Sequence, residues 1–379
     1  MKTGWAIKPL GKIGTLQRGF DLPKAQRTAG RFPLVTSSGV TDTHDVAKVK
    51  GPGVATGRSG SIGNVFYVDE DFWPLNTALY VKDFHGNDPR FVYYLLQLVD
   101  LGRFSSGAGV PTLNRNDVHG ELFAVPQSVE EQQRIVAVLD EAFEGLARAR
   151  THAEANLQNA RELFENALEA EVASLRHSSE TSLGEHIDLL AGFAFKSKGY
   201  TDDPNAMPLM RGDNIIPGAV RWKGAKYWPI DDCEAFEKFK LIAHDVVIAM
   251  DRTWIKAGIK YAVLSDDDIP CLLVQRVARL RCLASLDTHF LAMLIGSKSF
   301  EGYVLSIQTG TGVPHISPTQ IKDFKFPLPD IDTQARIVER LMIVKNASND
   351  LLETYSKKLQ DIDNLRQSLL RKAFAGELT

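Results

Sequence analysis

Between Gln132 and Ala170, apolar or small residues fall at Ile135, Leu139, Ala142, Leu146, Ala149, Ala153, Leu157, Ala160, Phe164 and Ala167. Spacings of three and four draw one narrow stripe along an α-helix, with charged and polar residues on its other faces. Pro126 precedes the stretch, and Ser128 followed by Glu131 has capping-box spacing, so the helix is expected to begin at residue 128. Gly145 is its only glycine, and it contains no proline. At ~1.5 Å per residue such a helix is roughly 60 Å long, and a stripe so long and narrow needs a partner helix. A second periodic stretch beginning at Thr333 supplies one, with Ile337, Leu341, Val344, Ser348, Leu351, Tyr355, Leu359, Ile362 and Leu365 on the equivalent stripe.

The two stretches are copies. Gln132, Arg134, Ile135 and Val136 recur as Gln334, Arg336, Ile337 and Val338, 202 residues on, and Leu163, Ala167 and Glu171 recur as Leu369, Ala373 and Glu377, 206 residues on. A four-residue difference adds about one turn and keeps the same face. The segments ahead of the helices echo each other too. Leu10-Gly11-Lys12-Ile13 and Gly19-Phe20 answer to Leu183-Gly184-Glu185-His186-Ile187 and Gly192-Phe193. Gly-Ala-Gly-Val-Pro at 107–111 recurs as Gly-Thr-Gly-Val-Pro at 310–314, and Phe123 and Pro126 recur at the same offset as Phe326 and Pro329. The chain is therefore a tandem duplication: globular segment 1–127, long helix 128–179, globular segment 180–330, long helix 331–379.

Short apolar runs at 32–36, 53–56, 65–68, 77–82 and 122–125, bounded by Gly, Asn and Asp, predict strands, whereas 90–99 and 288–295 predict helices. Each globular segment is thus α+β. Two copies joined by helices packed antiparallel as a coiled coil predict pseudo-two-fold symmetry. Two heads at a separation fixed by helix length would suit a linear, split target.

Composition changes this picture little. The net charge is only −3, but residues 1–127 carry 14 Lys/Arg against 11 Asp/Glu while residues 128–179 carry 5 against 10, so charge is distributed by module. Cys233, Cys271 and Cys282 have no metal-ligand spacing and are expected to be reduced core residues. No secretory signal and no 18-residue apolar span is found, which points to a cytoplasmic protein without a membrane partner.

At this point the chain resembles the specificity subunits of type I restriction-modification enzymes, over essentially its full length. The resemblance rests on Gly-Val-Pro followed by Pro and Glu-Gln-Gln-Arg-Ile-Val, from Val110 to Val136, and its second copy from Val313 to Val338. It rests also on the closing run from Leu365 to Leu378 and on Ala160 to Leu168 in the first helix. It departs in having Thr333 where the first copy has Glu131, so the second helix is expected to lack the acidic half of its cap. The resemblance implies that the globular segments are target recognition domains, each reading half of a split double-stranded DNA sequence. It also implies that the helices dock methyltransferase subunits. S-adenosylmethionine would be bound by those partners, and ATP and Mg²⁺ by a restriction subunit joining them. This chain itself would hold no cofactor.

Arg58, Ser59 and Ser61, in a Gly-rich loop between two expected strands, are candidate DNA contacts, since Arg suits guanine and Gly admits a phosphate. Arg252, Thr253 and Lys256 are read as their echo, Arg252 answering to Arg58. Asn76 aligns with Gln275, and Thr77 with Arg276, on the following strand; amide side chains suit adenine edges. After each Gly-Val-Pro stand Thr112, Asn114 and Arg115, or His315; Arg211 and Asn214 are candidate phosphate contacts. Gln132, Arg134, Gln334 and Arg336, kept by both copies where head meets helix, are candidate partner contacts. No Walker A pattern, methyltransferase tetrad, Gly-x-Ser-x-Gly or His-Glu-x-x-His occurs, and His44, His119, His244 and His315 are scattered. The expectation is a non-catalytic chain. The alternative is a coiled-coil scaffold with protein-binding ends, whose binding would show little salt dependence.

Overall fold

The computed structural model describes residues 2–106, 110–175, 178–308 and 314–378. Residues 107–109, which include the glycine of the first Gly-Val-Pro, and 309–313, which include the glycine and valine of the second, lie outside them. The chain forms two compact units, Met1–Ala155 with Tyr355–Thr379, and Asn156–Thr354. The division falls inside both long helices, so each unit holds one globular segment and one end of each helix.

In the first unit a four-stranded antiparallel sheet runs, in spatial order, Thr15–Arg18, Ala78–Asp83, Gly53–Gly57 and Val65–Val68. Phe32–Thr36 pairs antiparallel with Gly39–His44 and parallel with Trp73–Pro74, and Trp5–Pro9 pairs with Leu122–Pro126. Helix Pro89–Leu98 starts where the Asp88 carboxylate accepts the N–H groups of Arg90 and Phe91, and it buries Phe91, Val92, Leu95 and Leu96. The strands and the helix expected from the apolar runs are thus all present, with ends shifted by a residue at most.

The second unit repeats the plan. Its sheet runs Ile187–Ala191, Val277–Cys282, Val246–Ala249 and Tyr261–Val263 in the same spatial order. Met207–Met210 pairs parallel with Cys271–Leu273, Glu180–Ser182 pairs with Lys325–Pro327, and helix Thr288–Gly296 is capped by Asp287. Burial pushes the thiols of Cys271 and Cys282 up to about 12 and about 11, as suits reduced cysteines of a core.

The long helices span Val129–Ser174 and Ile331–Phe374. At the first start Ser128 Oγ accepts the Glu131 N–H at 3.2 Å, while the Glu131 carboxylate pairs with Lys2 and Arg134. At the second start the acid stands instead at the position of Ser128, where Asp330 accepts both the N–H (2.8 Å) and the hydroxyl (3.1 Å) of Thr333. These bonds hold the Asp330 carboxyl below the usual carboxylate range.

Within each unit the helix pair is antiparallel. In the first, Arg366 stacks 4.1 Å from the Phe143 ring and Arg150 pairs with Asp363. In the second, Arg340 pairs with Glu171 at 2.8 Å and Ser348 Oγ donates to the Ala160 carbonyl at 2.6 Å. The stripe does more than join helix to helix. Ile135, Leu139, Phe143, Leu370 and Phe374 enter the core of the first globular segment, and Leu168, Leu175, Ile337 and Leu341 that of the second. This corrects three stripe positions: Ala149 is exposed, and Leu351 and Leu365 are 38% and 48% exposed. Near the C-terminal end of the second helix it is Leu370, in the core of the first globular segment, and not Leu365 that is buried.

Candidate nucleic-acid interface

In each unit the loop that leaves the third strand of the sheet lies against the loop that enters the second. Backbone hydrogen bonds fix which residues correspond. Arg58 N–H donates to Thr77 O (2.9 Å), Leu113 N–H to Arg58 O (2.8 Å) and Gly60 N–H to Pro111 O (3.3 Å). In the second unit Met250 N–H donates to Arg276 O (2.8 Å), Ile316 N–H to Met250 O (2.9 Å) and Arg252 N–H to Pro314 O (2.7 Å). Arg276 therefore matches Thr77, as the sequence alignment has it. Arg252, however, matches Gly60 and not Arg58, whose counterpart is Met250. The loops differ in length around this point, and an echo counted along the chain slips by two residues. The backbone confirms the match: φ is +87° at Gly60 and +47° at Arg252, both left-handed.

Each unit has a cleft beside its loop pair, but on different sides of it: Arg58 and Thr112 line the first while their counterparts Met250 and His315 do not line the second, and Asp251, Arg252 and Arg276 line the second while Ser59, Gly60 and Thr77 do not line the first. The first, of about 460 Å³, is lined by Arg18, Arg58, Thr112, Asn114 and Arg115 among others. The second, of about 370 Å³, brings together Arg211, Arg252, Lys260, Gln275, Arg276 and two carboxylates, Asp213 and Asp251. Three arginines with no lining acid, and four cations against two acids, make both clefts positive. Field lines concentrate in such concave, cationic sites and favour a polyanion. Sequence reading missed Arg18, Lys260 and the two aspartates, none of which stands in a repeated motif. Burial pushes the Lys260 ammonium down, opposed by Asp213 and helped by Arg252.

Other candidates are placed differently. Asn214 is 3% exposed, and its amide bonds the Arg211 N–H and the Arg221 carbonyl, so it shapes a loop and does not face a ligand. Thr253 is 1% exposed and donates to Met250 O at 3.1 Å. Both were expected to touch DNA; burial and satisfied hydrogen bonds remove them from that surface. Asn76 has its amide on Asp21, which also holds Arg18 at 2.9 Å. Asn114 is exposed but caps helix Arg115–His119, accepting the Asn116 N–H. Ser59 bridges to Thr112, Ser61 Oγ lies 3.3 Å from Ser38 Oγ, and His315 bridges to Asp251. Lys256 is exposed on the small hairpin from Trp254 to Ile259 and lies outside the cleft. His119 accepts the Leu16 N–H at 2.8 Å, and burial with nearby Arg115 holds its imidazole below the ordinary value, which gives it a structural role. Among the described residues no group of three His, Cys, Asp or Glu could hold a metal ion, and no single helix is long and apolar enough to cross a membrane.

A family model described as the type I restriction modification DNA specificity domain matches residues 2–155 and 180–361. The chain belongs to this family. The specificity subunit of the type I restriction enzyme EcoAI from Escherichia coli is 36% identical over 196 residues, 51% of this chain and 31% of that protein. That of MjaVIII from Methanocaldococcus jannaschii is 25% identical over 307 residues, 77% of this chain and 70% of that protein. The match thus spans about a third of the first relative and somewhat over two thirds of the second. Two solved structures share the fold. One, reported for complex assembly and conformational transition of the type I R-M system, has a TM-score of 0.78 at 18% identity, covering 100% of this chain and 99% of that one. The HsdS subunit from Thermoanaerobacter tengcongensis has a TM-score of 0.63 at 19% identity, covering 100% and 98%.

The residues kept at the head–helix junction of this specificity-family chain divide into two kinds. Gln132 is 1% exposed: its Oε1 accepts the Asp88 N–H (2.8 Å) and its Nε2 donates to Asn87 Oδ1 (2.8 Å) and Pro126 O (3.1 Å). Gln334 is 0% exposed and repeats the pattern, with the Asp287 N–H (2.8 Å), Ser285 O (3.0 Å) and Pro329 O (2.9 Å). These two glutamines lock helix to head, and the expectation that they face a partner is corrected. Arg134 and Arg336 point outward, bonded only locally to Glu131 and to Thr333 Oγ1 (2.8 Å).

Proposed function

We propose that this chain is a non-catalytic subunit that reads a split sequence in double-stranded DNA, one half-site with each unit. In this reading it directs methyltransferase partners to an adenine in each half. Those partners would bind S-adenosylmethionine, and a restriction subunit using ATP and Mg²⁺ would join the same cytoplasmic assembly. One observation carries it above all. Each copy of a repeated fold carries a positive cleft beside the same loop pair, yet the residues at equivalent positions of those loops differ, Thr77 against Arg276 and Gly60 against Arg252. Constant scaffold with variable side chains is what reading two different half-sites requires. A protein-binding scaffold gives no reason for two such cationic clefts.

The test is single-molecule methylome sequencing of the source cell with and without this gene. A split, adenine-methylated motif should vanish on deletion; identical maps would overturn the proposal. The two long helices join the units covalently, so their length is proposed to set the number of unread base pairs. Four extra residues after both His152 and Thr354 add about one turn each, ~5.4 Å or close to two base pairs, and should lengthen the gap in the motif.

A further inference from the structure

The loop pair of the second unit contains an element that the first lacks. Asp251 takes the place of Ser59, since both bridge the strand after Gly-Val-Pro, and Arg276 takes the place of Thr77. How each arginine is tethered then separates Arg276 from Arg18, Arg58, Arg115 and Arg211, while Arg252, beside it in the cleft, has no side-chain bond among the described residues to position it. Arg18 and Arg211 hold Asp21 (2.9 Å) and Asp213 (3.2 Å) through Nη2. Arg58 and Arg115 donate through Nη1 to the carbonyls of Asn76 (3.2 Å) and Leu16 (3.4 Å). In all four a terminal nitrogen is occupied. Arg276 instead meets Asp251 through Nε, 3.6 Å from Oδ2, which leaves both terminal nitrogens clear. Its side chain is 57% exposed and lines the cleft.

The backbone adds to this. Arg276 sits at φ +72°, a left-handed conformation that side chains with a Cβ adopt at a cost, and its carbonyl is held by the Met250 N–H at 2.8 Å. A glycine would sit there without strain, whereas the arginine bears a backbone cost. A guanidinium ion-paired at Nε, whose terminal nitrogens make no hydrogen bond among the described residues, has a pair of donors to offer O6 and N7 of guanine together in the major groove.

We propose that Arg276, positioned by Asp251, is the guanine-reading side chain of the second unit. The assignment rests on the DNA-recognition reading above and adds to it the base and the residue. The full chain and its Arg276→Lys and Asp251→Asn variants would each be used to select from a randomised duplex pool at fixed salt. Affinity for unselected duplex and thermal melting would be measured alongside. Lysine keeps the charge and loses the paired donors, so affinity for unselected duplex should hold within about twofold. Preference for one guanine should fall on the order of 10- to 100-fold. Asp251→Asn should lose part of the same preference while binding unselected duplex more tightly, since it removes an anion without removing a reader. A variant Arg276→Lys that weakens all sequences evenly would make Arg276 a phosphate contact and overturn the assignment alone. Loss of preference at a base other than guanine would do the same. A wild-type chain without any sequence preference would overturn the underlying reading as well. Equal melting temperatures for wild type and Asp251→Asn would keep the comparison valid should the lysine variant fold poorly.

Discussion

Gln334 is an amide with no exposed surface and three hydrogen bonds, to the Asp287 N–H and the carbonyls of Ser285 and Pro329. Removing one side chain would leave a buried donor and two buried acceptors without partners, and each orphaned group costs about 1–3 kcal/mol. Gln334→Ala is therefore expected to lower stability in urea denaturation by about 2 kcal/mol or more with little change in m-value. A loss below ~0.5 kcal/mol would show that the lock contributes nothing. The repetition of this residue in both copies was legible in the sequence. Its burial was not, because a glutamine on a helix start gives no sign of whether loop carbonyls will converge on it. Arg252 gives the opposite lesson: its identity suggested kinship with Arg58, and only the hydrogen-bond register showed that it occupies the place of Gly60.

Among the elements, the long helices follow their periodic pattern closely, but what they pack against changes along their length. Toward the globular segments large residues such as Phe143 and Leu341 enter the cores. Elsewhere small ones, Ala153, Ala160 and Ser348, are buried at 5%, 2% and 4% exposure. The hydrogen bond from Ser348 to the Ala160 carbonyl needs the two backbones close together. Ser348→Leu adds volume where none is free, and overpacking of this kind costs about 1–3 kcal/mol. Thermal melting should show a clearly lowered transition for this variant and almost none for Asn349→Leu on the exposed neighbouring position. Equal melting of the two would mean that the helices are not closely packed at this level. The strands of both units were readable as short apolar runs bounded by turn residues. Their pairing order was not, since strands adjacent in the sheet are separated by long stretches of chain.

For the whole molecule, the duplication decides what a single substitution can reveal. Arg134 and Arg336 are equivalent and exposed, so under the proposed docking of methyltransferase partners one would substitute for the loss of the other. The pair Arg134→Ala with Arg336→Ala is expected to reduce co-purification of those partners while leaving the DNA preference of the isolated chain unchanged. Undiminished co-purification would remove these arginines from the docking surface. The sequence by itself determined the duplication, the α+β class, the long helices and the family, because periodicity and repeated motifs are properties of chain order. The tertiary structure alone decided which candidates share a cleft, which are buried in hydrogen-bonded locks, and that Asp251 and Arg276 form an ion pair. Those facts depend on loops whose register is set by backbone hydrogen bonds between segments far apart in sequence, and no local pattern encodes such a meeting.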